Sequence, residues 1–142
     1  MITLTDARNI LDASLSEARA RNCPPMTVAV MNAAGQLVAF ASEDGSSLLR
    51  ERIARAKALG ALNMGMGSRA LARRASEHPH FINAVTALAD GNLVPVPGGV
   101  IVRDDRDVVM GAVGVSGHHP DADEACAIAG IRAVGLQEDP GE

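Results

Sequence analysis

Two adjacent histidines, His118 and His119, lie between a glycine-rich strand end and the start of a helix. An imidazole can exchange a proton near neutral pH, and its nitrogens can ligate a metal or haem iron. Neighbouring residues rarely point at one site, and no HxH or HExxH spacing surrounds the pair, so no zinc site is predicted. Solvent-exposed turn histidines are the alternative. Together, beside two glycine clusters, they are the first candidates for acid–base catalysis or ligand binding.

Lys57 is a single lysine in the alanine-rich middle of a long predicted helix. Its ammonium can hold an acidic substrate group or, when desolvated, act as a base or an amine nucleophile. Arg52, on the same helix, is a second candidate for holding a substrate carboxylate. The alternative is a solvated helix face that Lys57 and Arg52 share with Arg50 and Arg55.

Two glycine clusters flank one apolar strand, Gly98-Gly99 at its start and Ser116-Gly117 after the strand that returns. Glycine lets the backbone approach a ligand or a neighbour closely and adopt positive φ. Amides at such a turn can polarise a carbonyl. Asp123 and Glu124 fall in the first turn of the next helix, where the helix dipole favours acids and by itself explains them.

Three weaker motifs have a simpler structural interpretation. Gly65–Ala70 matches a loose dinucleotide-binding pattern, but a helix rather than a strand precedes it. Gly114–Gly117 resembles a nucleophile elbow, yet His118 stands where the second glycine is required. His78-Pro79-His80 can aim two rings one way, but a polar loop between helices is favoured.

The apolar periodicity and turn signals alternate helices with strand pairs. Thr5 is the predicted N-cap of the first helix, and Pro120 fits the first helical position of the last, with His119 as its N-cap. The predicted helices are 5–21, 48–64, 68–76, 81–89 and 120–134, and the predicted strands are 27–31, 36–42, 100–102 and 108–116, with a frayed polar tail.

The element order predicts one α+β domain over residues 1–142. Strands joined by tight turns pair antiparallel, which excludes a doubly wound parallel sheet. Helices before, between and after the two hairpins indicate a central antiparallel sheet covered by helices on both faces. No internal repeat or low-complexity linker divides the chain.

Composition narrows the classes of function. The chain has 142 residues, is 47% hydrophobic and only 1% aromatic, and carries a formal net charge of -4. An aliphatic core is expected, and neither a nucleic acid nor a membrane is an expected partner. The N-terminus lacks signal-peptide features, so we expect a cytoplasmic protein. Cys23 and Cys126 match no metal-binding or redox spacing and are expected to be free thiols.

A series of motifs across most of the chain resembles the GlcG/HbpS family of haem-binding and haem-degrading-type proteins, which includes the C-terminal domain of PduO. The residues that carry the resemblance are Asp44-Gly45, Lys57-Ala58, Pro97-Gly98-Gly99, the run Gly111–Gly117 and Asp123-Glu124. The order and spacing of the last three are the most specific part.

The resemblance implies a profilin-like α/β/α sandwich that assembles as a dimer or a higher homo-oligomer. It also implies a small-ligand site near the glycine turns, often at a subunit boundary, and some members bind haem or a related tetrapyrrole. The pocket-forming residues that it carries over are Lys57, Gly98, Gly99, Ser116, Gly117, Asp123 and Glu124. The chain departs from the family pattern at His118-His119-Pro120 and at Ala122.

Three hypotheses follow. The first is a binding protein for haem or another planar small molecule, with His118 or His119 as axial ligand or polar anchor, and no other cofactor. The second is a cofactor-independent lyase, isomerase or hydrolase, in which His118 or His119 is the acid or base and Lys57 or Arg52 holds the substrate. The third is an assembly partner whose glycines serve close packing between subunits.

Overall fold

A computed structural model describes residues 1–142, which form five helices and five strands. In chain order these are α1 Leu4–Ala20, β1 Thr27–Asn32, β2 Leu37–Ser42, α2 Leu49–Met64, α3 Ser68–Glu77, α4 Pro79–Leu88, β3 Gly99–Arg103, β4 Val109–Ser116, α5 Pro120–Ala133 and β5 Gln137–Asp139. No helix combines the length and the apolar character that a membrane-crossing segment needs.

The strands form one sheet in the order β2-β1-β4-β3-β5, with every neighbouring pair antiparallel. The two hairpins meet where β1 pairs with β4. In that pair Thr27 lies opposite Ser116 at one end, and Met31 lies opposite Ala112 towards the other. The predicted antiparallel sheet is confirmed.

Helices cover both faces of the sheet, as predicted. Side chains alternate across a strand, and one set from β1, β3 and β4, which includes Val28, Val113 and Val115, packs with α1 and α5. The other set, which includes Met31 and Ala112, packs against α2. The two cysteines are free and buried on the α1–α5 side. The core is aliphatic, as the composition indicates.

The first helix begins earlier than predicted. Thr3, not Thr5, is its N-cap, and the Thr3 hydroxyl accepts a hydrogen bond from the Asp6 amide at 3.1 Å. Both threonines satisfy the residue preference for an N-cap. Thr3 takes the role because its extended backbone places its oxygen over the first turn.

Two further boundaries differ from the prediction. His78-Pro79-His80 is not a connecting loop, because α4 begins at Pro79, whose fixed φ suits the first helical position. The C-terminal tail is not frayed: β5 pairs with β3, and Asp139 accepts hydrogen bonds from the Arg103 guanidinium at 2.9 Å. Because Gln137–Asp139 are all polar, the hydropathy of the sequence does not indicate this short edge strand.

Candidate functional site

Lys57 is the centre of a buried ionic cluster beneath the glycine turns. It lies in the middle of α2, and its side chain is only 2% exposed. Its ammonium Nζ donates to Asp123 Oδ2 at 2.9 Å and to the Val115 carbonyl oxygen at 3.0 Å. Burial lowers the pKa of Lys57, while the Asp123 carboxylate opposes that shift. We call Lys57, Gly98, Gly99, Ser116 and Asp123 the lysine centre.

The glycines of the lysine centre lie where α2 and the start of β3 approach each other closely. A Cβ on Gly98 would lie 2.7 Å from Lys57 Nζ, and φ there is +125°, a value that favours glycine. A Cβ on Gly99 would lie 2.2 Å from the Lys57 carbonyl oxygen. No side chain fits at either position, so both glycines serve the packing of α2 over β3.

Asp123 connects the lysine centre to the histidine turn. One carboxylate oxygen, Oδ2, accepts from Lys57, and the other, Oδ1, accepts from the His118 backbone amide at 2.9 Å. Ser116, at the end of β4, is buried, and its hydroxyl accepts a hydrogen bond from Arg50 Nη1 at 3.1 Å. These contacts fix the backbone from which the two histidines project.

Ser68 belongs to the same buried region, although no sequence signal singled it out. Its hydroxyl accepts from the Gly99 amide at 2.7 Å and donates to the Gly99 carbonyl at 3.2 Å. The Gly99 amide is therefore already satisfied within the chain. The segment Gly65-Met66-Gly67 directly precedes Ser68 and separates α2 from α3, but it gives no indication of a hydrogen bond to Gly99.

Glu124 is held by Arg69 rather than by the lysine centre. The Arg69 guanidinium binds both Glu124 oxygens, at 3.0 Å each at its shortest contacts, and also contacts Asp121 at 2.6 Å. The hydrogen bond to Glu124 raises the pKa of Arg69 most, and the hydrogen bond to Asp121 raises it further. The pairing joins α3 to the first turn of α5.

His118 and His119 project into solvent at the edge of this region. Their ring centroids are 4.7 Å apart and the ring planes are tilted by 38°. His119 is the N-cap of α5, as predicted, but its side chain makes no capping hydrogen bond. Gly117 carries the turn with φ +154°, packed where a Cβ would lie 2.5 Å from Met26 Sδ. Both rings are thus exposed on a rigidly packed turn.

The same end of the sheet exposes an apolar residue. Leu48 precedes α2 and is 97% exposed. It stands two residues before Arg50, whose guanidinium reaches Ser116 at the base of the histidine turn. The histidine turn, Arg50 and Leu48 therefore share one end of the molecule, and they offer imidazole, guanidinium and apolar surface there.

A cavity of about 460 Å³ lies away from the histidines, between α2, the β1–β2 turn and residues 90–94. Met31 lines it, and Met31 is four residues along β1 from Thr27, which pairs with Ser116. Met31 thus lies about 13 Å along the strand from the end at which Ser116 leads into the histidine turn. No group of three or more His, Cys, Asp or Glu side chains is arranged to hold a metal ion.

Comparison with known families and structures gives a consistent result. The family model described as haem degrading protein HbpS-like matches residues 2–132. No curated protein matches the chain.

Several solved structures share the fold. A PduOC–haem complex superposes with a TM-score of 0.86 at 20% identity, covering 96% of both chains. The Klebsiella pneumoniae protein ORFY superposes with a TM-score of 0.85 at 21% identity, covering 94% of this chain and 90% of that one. A double mutant of Streptomyces reticuli HbpS gives 0.80 at 24% identity, over 94% and 87%.

Proposed function

This chain belongs to the HbpS-like family, and from that premise we propose that it binds a small molecule, namely haem or a related planar ligand, beside the His118-His119 turn. The family description names haem, and so does the PduOC complex that shares the fold. The proposal rests on one observation of this chain: two exposed imidazoles on a packed turn, with neither ring held by a hydrogen bond.

The residues at this end fit haem. A neutral imidazole nitrogen of His118 or His119 can ligate the iron. Arg50 supplies a guanidinium, which suits a propionate carboxylate. The exposed Leu48 supplies apolar surface for the ring. When bound, haem would supply iron-centred chemistry, while this chain holds and orients it.

One chain leaves the histidine rings open to solvent, so we propose that a second copy completes the site. Such a homo-oligomer would cover Leu48, and it agrees with the subunit-boundary site that the resemblance implies. The exposed Phe81 and Leu88 on α4 offer further apolar surface for assembly. We also propose a cytoplasmic protein with no nucleic-acid partner, consistent with its net charge of -4.

The contacts of the lysine centre favour binding over catalysis. Lys57 is buried with two acceptors on its ammonium, so it has no open path to a substrate. The Gly99 amide donates to Ser68 and is not free to polarise a carbonyl. A cofactor-independent enzyme would therefore depend on His118, His119 and Arg52.

A haem titration of the apo-protein tests the proposal. We expect a saturable Soret shift that is lost in the His118→Ala/His119→Ala double variant, with the single variants showing which ring ligates. His80→Ala removes an exposed histidine on α4 and is the matched control, expected to bind as the wild type does. A shift that does not saturate, or one unchanged in the double variant, would contradict the proposal. Light scattering on the same samples tests the oligomer.

A further inference from the structure

The cavity beside α2 combines an apolar wall with few charged groups. Its volume, about 460 Å³, falls in the range of pockets that enclose small organic molecules. The wall is formed by aliphatic side chains from α2, the first hairpin and the 90–94 loop: Met31, Leu37, Leu49, Ile53, Leu59 and Val94. Ala56 forms part of its floor and is itself buried.

Arg52 is the one cation of this cavity that has no partner in the chain. Arg55, which also lines it, pairs with Glu51 at 3.5 Å, one helical turn away. Arg52 forms neither an ion pair nor a hydrogen bond, although Asp90 lines the same cavity. A guanidinium free to act as a two-pronged donor beside an aliphatic wall is suited to a carboxylate attached to an apolar body.

Asp90 narrows the choice of anion. Its backbone adopts φ +55°, in the left-handed region that aspartate tolerates, and Gly91 follows with φ +80°. This turn places a second, negative group on the cavity wall. A phosphate with two charges would face one free guanidinium and a nearby carboxylate, whereas a singly charged carboxylate is matched by Arg52 alone.

We propose that this cavity is a binding site for a small amphipathic monocarboxylate, whose apolar body packs against Leu59 and Ile53 and whose carboxylate is held by Arg52. The cavity has no lining residue in the histidine turn, although Leu49 on its wall is adjacent in the chain to Leu48 and Arg50. Its lining includes neither His118 nor His119, so the proposed carboxylate contact uses Arg52 rather than an imidazole.

Methyl NMR with 2-naphthoate as the probe tests this site. We expect saturable shifts of the Met31, Ile53 and Leu59 methyl groups, with the methyl groups on the α1–α5 side unchanged. Arg52→Gln should weaken naphthoate binding at least fivefold, and it should leave binding of the uncharged analogue 2-naphthalenemethanol unchanged. Arg106→Gln, an exposed arginine of the β3–β4 turn outside every ion pair, is the matched control and should bind as the wild type does.

Three outcomes would overturn the assignment. The first is the absence of saturable shifts at these three methyl groups. The second is equal naphthoate affinity in Arg52→Gln and the wild type. The third is a set of shifts confined to the Leu48 and Ala122 methyl groups, which would assign naphthoate to the neighbourhood of the histidine turn. Haem binding measured separately keeps the two sites distinguishable.

Discussion

The two faces of α2 carry charged residues with opposite roles. On the face towards the sheet, Lys57 is sealed and bonded to Asp123. On the face towards the cavity, Arg52 is exposed and has no partner. Lys57, the residue with the more suggestive chemistry, is thus enclosed in the packed interior, whereas Arg52, which resembles an ordinary surface arginine, lines the cavity.

Helical spacing explains this division. Ala54, Ala58 and Ala61 surround Lys57 on the sheet side and are all fully buried. These small residues let β4 approach so closely that a Cβ on Gly114 would lie 1.9 Å from the Ala54 carbonyl oxygen. Arg52, Ala56 and Leu59 recur at the i, i+4, i+7 spacing of the opposite face. The first face is therefore packed closely against the sheet along this stretch.

The largest effect on stability should come from breaking the Lys57–Asp123 ion pair on the sheet-facing side of α2. Asp123→Ala leaves a buried ammonium without its counter-charge, so we expect unfolding to be easier by about 3–5 kcal/mol. Urea unfolding measures this, with Asp105→Ala, an exposed unpaired aspartate, as the control. Lys57→Met/Asp123→Leu removes both charges and should recover most of the stability. A double variant as unstable as Asp123→Ala would contradict a purely structural role.

A smaller loss should follow when side-chain volume is added to the same face. Gly99→Ala places a methyl group 2.2 Å from the Lys57 carbonyl oxygen, and neither backbone can yield freely. We expect a loss of about 3 kcal/mol in the free energy of unfolding. Gly65→Ala, where φ is +68° and no atom lies within 4 Å, carries backbone strain only and should lose about 1 kcal/mol. Equal losses would show that α2 does not pack tightly here.

The buried Lys57 should also make the stability of the protein depend on pH. Burial lowers the pKa of Lys57 from 10.5; Asp123 opposes this and Arg50 adds to it. Between the lowered value and 10.5 the unfolded chain holds a proton that the folded chain has released. The contribution of Lys57 to the free energy of unfolding therefore rises with pH, by at most about 1.4 kcal/mol per pH unit.

Urea unfolding of the wild type and of Lys57→Met between pH 8 and 10.5 measures this contribution as a difference. Burial also raises the pKa of Cys126 to about 12, which lowers stability above pH 9. That loss is common to both proteins and cancels in the difference. A difference that falls as pH rises would mean that the ion pair outweighs desolvation.

The smallest effect on stability should come from replacing Arg52 on the cavity-facing side of α2. Arg52 is exposed and makes no ion pair, so Arg52→Gln should change the free energy of unfolding by less than about 0.5 kcal/mol. The same urea experiment measures it beside Asp123→Ala. A loss above 1 kcal/mol would mean that Arg52 supports the fold, which would remove the contrast between the faces.

Local patterns were sufficient to predict most of the fold. Apolar runs and turn residues such as Gly35, which has φ +77°, predicted both hairpins, and α2 ends at Met64 as predicted, with Gly65 in the left-handed conformation as its C-cap. The family resemblance also brought together residues that the structure places side by side, Lys57, Gly98 and Asp123. Their roles in ligand binding stay predictions.

The remaining features depend on contacts between distant segments. Ser68 gains its role only because β3 delivers Gly99 to it. The cavity forms where Gly35, Leu59 and Asn92 come together from distant segments, and no local sequence pattern predicts that contact. β5 carries three polar residues and becomes a strand through its pairing with β3, which sequence periodicity does not report.

The strand order also has a consequence for synthesis on the ribosome. β1 pairs on one side with β2, which follows at once, but on its other side with β4, about 80 residues later. At about 5–20 residues per second, β4 emerges several seconds after β1. The nascent first hairpin therefore presents an open edge during that interval, and the chain completes its sheet only when the last third has been translated.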